Sequence, residues 1–312
     1  MTRTILVPLD GSPFSEHALP LAARLARRAG ARLHLLHVLP FRSEDQADLL
    51  TGSAGPVLSA GLLRRQRAYL DGVAARLGDQ AALTADLLEG EVTQTIRAAV
   101  GAVDADLVVM TTHGRGPLQR LWLGSVADAL LRDLSVPLLL VRPTEDAPDW
   151  KGEPGIRHLL VPLDGSPLAE QVIEPAVQIG TLMQADYTLL RVVAPAASLI
   201  SPIDGGTLGE MTGAWVALLN EATERRRQLA VDYLEKTAAP LRARRLAVQT
   251  RVVVDASAAT AILEAATPPD IDGVALATHG RHGLPRLVLG SVADKIIRAA
   301  ALPVLVYRPM TP

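Results

Sequence analysis

Short, wholly apolar runs alternate along this chain with longer stretches whose apolar positions recur at helical spacing. Thr4–Leu9 is such a run, closed by Asp-Gly-Ser-Pro. It reads as a buried strand and a tight turn, with Ser12 as N-cap and Pro13 at the favoured first helical position. Phe14, Ala18, Leu21, Ala22 and Leu25 then share one helical face and Gly30 stops it, which predicts a single helix over 13–28. Strands follow at 32–39, 82–89, 107–110 and 137–141, with helices at 62–77, 92–103 and 125–134. A second series places strands at 159–163, 187–193, 248–254, 273–277 and 304–307, and helices at 168–179, near 212–238, 258–266 and 291–299. Strands that are apolar along their whole length are buried on both faces, so the expected fold class is α/β with parallel sheets covered by helices.

The two series share more than their order. ILVPLDGSP at Ile5–Pro13 returns as LLVPLDGSP at Leu159–Pro167, and THGRG with LGSVAD returns as THGRH with LGSVAD (Thr112–Asp128, Thr278–Asp294). Domain-sized duplication follows, with one unit over 1–143 and another over 158–312. Between them, 144–157 (TEDAPDWKGEPGIR) is acidic, rich in Pro and Gly and without periodicity, and is expected to be a linker. Asp10 and Asp164 lie 154 positions apart but Gly124 and Gly290 lie 166 apart. The extra residues are assigned to the Gly- and Pro-containing loop 194–213 and the helix after it.

Composition narrows the function classes. Of 312 residues 49% are hydrophobic but only 3% aromatic, so the core is aliphatic. A net charge of −2 offers no basic footprint for nucleic acid and no polybasic membrane tail. Without cysteine there is no disulfide framework, thiolate metal site or cysteine nucleophile. No signal peptide or membrane-spanning run is apparent, and a cytoplasmic location is expected.

The repeated blocks fall where an open parallel sheet binds ligands, outside the carboxyl ends of its strands. Asp10 and Asp164 end the first strand of each half; Gly114 and Gly280 follow the fourth; Gly124-Ser125 and Gly290-Ser291 precede the last helix. A glycine loop leading into a helix N-terminus presents backbone amides and a hydroxyl to phosphate, and the carboxylate can receive sugar hydroxyls or help hold Mg²⁺. Each feature also has a plainer structural reading as a turn or cap. His113 and His279 have no second ligand at metal-site spacing. No GxxxxGK[ST], complete GxGxxG, HExxH or GxSxG occurs.

VPLDGS, THGRG with LGSVAD, and the VPLLLVRP ending (Val136–Pro143), with the paired opening and closing blocks present twice over, resemble the universal stress protein family in its tandem two-domain form. The resemblance spans about 5–143 and 158–309. It implies two adenine-nucleotide alpha-hydrolase-like sheets of five parallel strands in the order 3-2-1-4-5, domains paired through their last strands, and homodimers as a further assembly. It also implies ATP, with or without Mg²⁺, as ligand. ATP-binding members carry G-x₂-G-x₉-G-[ST]; here Gly114, Gly124 and Ser125, and Gly280, Gly290 and Ser291, fit its second part. Thr111 and Ala277 replace its first Gly.

Carried over position by position, the resemblance gives Asp10 the ribose or metal side and lets Pro8, Leu9 and Val38 line the adenine slot. Met110 and Thr111 border base and sugar, and Gly114, Gly124, Ser125 and Val126 face the phosphates. The matching second set is Pro162, Leu163, Asp164, Val192, Leu276, Ala277, Gly280, Gly290, Ser291 and Val292. Asp255-Ala256 replaces Glu89-Gly90-Glu91 near the third strand's end. The expected function is an ATP-binding regulatory or protective stress protein, at most a slow ATPase, since no general base or strong nucleophile stands out. The alternative is a protein-interaction module that keeps the fold without binding nucleotide. An ATP pyrophosphatase is disfavoured because its SGGxDS loop is missing.

Overall fold

The computed structural model describes residues 2–40, 55–78, 82–112, 123–150, 152, 154–199, 213–267, 269–278 and 289–308. The chain divides into two compact units, Met1–Gly155 and Ile156–Pro312. The first is built from β1 (Thr4–Leu9), α1 (Pro13–Glu16), α2 (Leu19–Ala29), β2 (Arg32–Leu39), α3 (Gly55–Leu77), β3 (Ala82–Glu89), α4 (Val92–Ala102), β4 (Leu107–Thr111), α5 (Ser125–Asp133) and β5 (Leu138–Val141). Its strands are all parallel and ordered β3-β2-β1-β4-β5.

The second unit repeats this with β6 (His158–Pro162), α6 (Pro167–Glu170), α7 (Ile173–Met183), β7 (Asp186–Val193), α8 (Gly213–Ala243), β8 (Val248–Val254), α9 (Ala258–Ala265), β9 (Gly273–Ala277), α10 (Ser291–Ala299) and β10 (Val304–Tyr307). Its order is β8-β7-β6-β9-β10, again parallel. A 3₁₀ turn, Ala196–Leu199, opens the long connection after β7, and 200–212 lie outside the described residues.

The aliphatic core sits where the apolar runs place it. Ile5, Leu6, Val7, Leu35, Leu36, Val108, Val109 and Leu139 are fully enclosed, and Leu159, Leu160, Leu189, Leu190, Val274 and Ala275 match them in the second unit. Two expectations are corrected. The single helix over 13–28 is two helices, and so is that over 168–179. Pro20 and Pro175 are the cause: neither has an N–H to return to the carbonyl of Glu16 or Gln171, so the chain restarts its helix after a bend. β3 is not buried on both faces; as a sheet edge, its residues alternate between exposed and half-buried.

Segment 144–155 belongs to the first unit rather than hanging between the two. Thr144 and Asp146 meet His17, Arg24 donates to the Pro154 carbonyl at 3.1 Å, and Arg76 stacks on Trp150. Among the described residues, no helix is long and apolar enough to cross a membrane.

Candidate functional site

Each first strand ends in the same turn. Gly11 and Gly165 adopt φ of 78° and 79°, a left-handed conformation that other residues pay to enter. The turn lets Asp10 Oδ1 accept the Ser12 N–H at 2.8 Å and the Ser12 hydroxyl at 2.5 Å. Asp164 Oδ1 accepts the same two groups of Ser166 at 2.9 and 2.6 Å. Ser12 and Ser166 in turn cap α1 and α6 by accepting the N–H of Ser15 and Ala169. One carboxylate oxygen is therefore committed to fixing the turn, which also fixes where the rest of the carboxylate points. In the first unit the Asp10 N–H donates to the Ser15 hydroxyl at 3.3 Å, a contact that Ala169 has no hydroxyl to reproduce in the second.

Register brings the start of the closing helix to the edge that carries this carboxylate. β1 pairs with β4 as Ile5↔Leu107 and Leu6↔Val108, so extending the ladder sets Asp10 level with Thr112. Thr112 anchors the helix start: its carbonyl accepts the N–H of Gly124 at 2.8 Å, while its own N–H donates to the Val141 carbonyl at 3.0 Å. β6 and β9 pair as Leu159↔Gly273 and Leu160↔Val274, setting Asp164 level with Thr278, whose carbonyl accepts the Gly290 N–H at 2.9 Å. Neighbouring strands lie about 4.8 Å apart. Carboxylate and helix start thus share the carboxyl edge of the sheet, at β1 and β4, where the strand order reverses direction.

Gly124 and Gly290 are the N-caps of α5 and α10, with ψ of 146° and 140°, and being glycines they bring no capping side chain of their own. The N–H groups of that turn have no intrahelical partner. Ser125 and Ser291, the first helical residues, are exposed. Glycine at 290 also has a packing reason: a Cβ there would lie 2.8 Å from the Thr278 carbonyl oxygen. Leu9, Val38, Met110, Leu163 and Leu276 are buried, and register sets Val38 and Met110 on the face opposite to Leu9; Pro8, Asp10, Val126, Pro162, Asp164, Val192 and Ala277 are half-buried. Thr111 is buried and Val292 exposed. Gly114 and Gly280, with His113 and His279, lie outside the described residues.

Sequence reasoning missed a second layer beneath this edge. The carboxylate of Glu16, buried at the end of α1, receives two bonds from Arg76 at 3.0 and 3.1 Å. Tyr69 stands beside it, edge-on to His37 with ring centres 5.9 Å apart. Burial and then Glu16 push the Tyr69 phenol above the ordinary tyrosine range. In the second unit Tyr233 donates to Glu170 at 2.8 Å and lies 5.3 Å beneath the Arg191 guanidinium. The recurrence of Glu16 as Glu170 and Tyr69 as Tyr233 was the available signal. Asp255, one of the departures noted near the third strand, accepts the Ser257 N–H at 2.6 Å and so helps start α9. Among the described residues no cluster of three metal-ligating side chains occurs.

The family model described as the universal stress protein family matches residues 1–142 and 155–308. A universal stress protein of Mycobacterium tuberculosis is 26% identical over 97% of this chain and 94% of its own length. One of Mycolicibacterium smegmatis is 28% identical over 98% and 97%. In fold, the chain is similar to a universal stress protein of Archaeoglobus fulgidus, with a TM-score of 0.67 at 16% identity, covering 99% of each chain.

Proposed function

The chain belongs to the universal stress protein family, and from that premise we propose that it is an ATP-binding regulatory protein with one nucleotide site at the carboxyl edge of each unit. Family membership supports a role in the stress response. One observation carries the nucleotide reading. In both units, register and the hydrogen bond from the glycine N–H to the threonine carbonyl bring a turn-fixed aspartate and a glycine-started helix N-terminus to the same edge. The N-terminus supplies N–H donors and the positive end of the helix dipole to phosphate oxygens. Asp10 and Asp164 supply a carboxylate to ribose hydroxyls, or to a Mg²⁺ that would take its remaining ligands from phosphate and water. Val38 and Met110, which register sets on one face, give the base an apolar bed, with Leu9 in the backbone turn beside it. Gly114, Gly280, Val126 and Val292 complete the proposed phosphate side, with Pro8, Pro162, Leu163, Val192, Leu276, Thr111 and Ala277 bordering base and sugar.

The same geometry favours slow turnover at most. The hydroxyl nearest the carboxylate, Ser12, is spent on the Asp10 turn and the α1 cap. One observation favours the alternative, an interaction module without nucleotide: the approach of Gly290 to Thr278 accounts for that glycine by packing alone.

Proline substitution at the first helical residue separates the two readings. Gly124 and Gly290 have ψ of 146° and 140°, the conformation a following proline requires, and proline suits the first helical position. Ser125→Pro and Ser291→Pro therefore keep the helices while deleting an N–H and a hydroxyl aimed at phosphate. Calorimetric titration should show ATP affinity falling at least ten-fold at the altered unit with the melting temperature held. Equal ATP uptake by wild type and both variants would remove these helix starts from the site.

A further inference from the structure

Three nitrogen-bearing side chains of the first unit, His17, Arg24 and Arg76, hold the segment 144–155. His17 Nε2 lies 3.0 Å from the Asp146 carbonyl and 3.3 Å from the Thr144 hydroxyl. The Arg76 guanidinium sits 4.4 Å over the Trp150 ring, and Arg24 donates to the Pro154 carbonyl at 3.1 Å. Pro148, between the first two anchors, is buried. A Pro- and Gly-rich acidic stretch would otherwise be a flexible tether. Here it is a strap.

The middle anchor has a second task. The guanidinium that carries Trp150 also grips both oxygens of Glu16, whose side chain is only 9% exposed. A carboxylate that far from water depends on its partner, so Arg76 is held in place from below. Glu16 closes α1, and the opposite end of that four-residue helix is Ser12, bonded to Asp10. Its neighbour Ser15 receives the Asp10 N–H. Strap, Arg76, Glu16, α1 and the Asp10 turn are thus joined by direct contacts. The second unit is built differently at this point: Pro240 stands as far beyond Tyr233 as Arg76 stands beyond Tyr69, and it carries no charge to grip Glu170.

We propose that the 144–155 strap reads occupancy of the first nucleotide site, tightening on the unit when ATP binds and weakening that site when the strap is loosened. This rests on the nucleotide reading above. A ligand that orders the Asp10 turn orders α1 and Glu16 with it, and an Arg76 already fixed by Glu16 loses less freedom in stacking on Trp150. The coupling is reciprocal by thermodynamic necessity.

Backbone hydrogen exchange of the full chain, followed by mass spectrometry with and without saturating Mg-ATP, tests the first half. Exchange across 144–155 should slow several-fold with ATP. The second half uses the Ser291→Pro chain, in which only the first site remains. Adding Trp150→Ala should weaken ATP there about five-fold, at the low end of typical coupling, and Trp150→Phe, which keeps a ring for Arg76, should restore most of it. Saturable ATP binding with unchanged strap exchange and unchanged affinity in Trp150→Ala overturns the strap and leaves the nucleotide reading standing. No saturable ATP binding to the native chain overturns both.

Discussion

The backbone N–H of Gly290 bonds the Thr278 carbonyl oxygen at 2.9 Å, and a methyl group added at Gly290 would lie 2.8 Å from that same oxygen. The glycine is thus needed to close the loop onto the sheet before any ligand arrives. Gly290→Ala must push strand and helix apart, which costs about 1–3 kcal/mol by the usual price of overpacking. Urea denaturation without nucleotide should show that loss; an unchanged midpoint would mean that the loop yields freely and the glycine is there for the ligand alone.

Asp10 has two roles that substitution can pull apart. Its Oδ1 accepts from Ser12, which an asparagine oxygen can also do, whereas only the carboxylate carries charge toward a sugar or Mg²⁺. Asp10→Asn should melt like wild type while ATP affinity at the first site falls roughly 10- to 100-fold, the range for a lost charged hydrogen bond. Asp10→Ala should lose the turn as well, at about 1 kcal/mol. If asparagine and alanine prove equally destabilising and equally able to bind ATP, the carboxylate has no ligand role.

His34 makes the first unit acid-sensitive. Its ring is buried between Thr84, 2.8 Å from Nδ1, and Asp86, 3.5 Å from Nε2. Burial lowers its pKa, outweighing the attraction of Asp86, and Arg32 lowers it further. The unfolded chain therefore takes up this proton first as pH falls through about 6.5. Stability present above that value is lost on the way down to the folded pKa. Denaturation midpoints between pH 7.5 and 5.5 should decline for wild type and decline less for His34→Gln. Parallel slopes would show that other groups govern the window.

Arg76→Ala strands the Glu16 carboxylate in a buried position. The Arg76 side chain is 45% exposed, so water recovers part of the loss and about 1–3 kcal/mol is expected rather than the full cost of a broken interior pair. Glu16→Gln in the same chain should return part of it by removing the stranded charge. A double variant no more stable than Arg76→Ala would show that the cost lies in lost packing on Trp150.

The fold was legible because its signals are local. Apolar runs such as Ile5–Val7 and Val108–Val109 mark buried strands, and Ser12-Pro13 and Gly124-Ser125 mark helix starts, with no need to know what packs against them. Where periodicity misled, it did so for a local reason: the apolar face of 13–28 continues through Pro20, so the pattern alone hid the break. The site was legible in part. Repetition singled out Asp10, Gly124 and their counterparts, but the hydrogen bonds that bring them to one edge run through Thr112 and Thr278, whose importance depends on strand register. The layer beneath left only the recurrence of Glu16 and Tyr69 as a signal, because Glu16, the α3 pair Tyr69 and Arg76, and Trp150 are far apart in sequence and meet only once α3 and the strap are packed.

Calorimetric titration of the native chain with Mg-ATP tests the central claim most directly. The geometry predicts saturable binding, one nucleotide per unit, weakened at least about ten-fold in the first unit by Ser125→Pro and in the second by Ser291→Pro. Absence of any saturable heat up to millimolar ATP, from a chain that melts cooperatively, would contradict it.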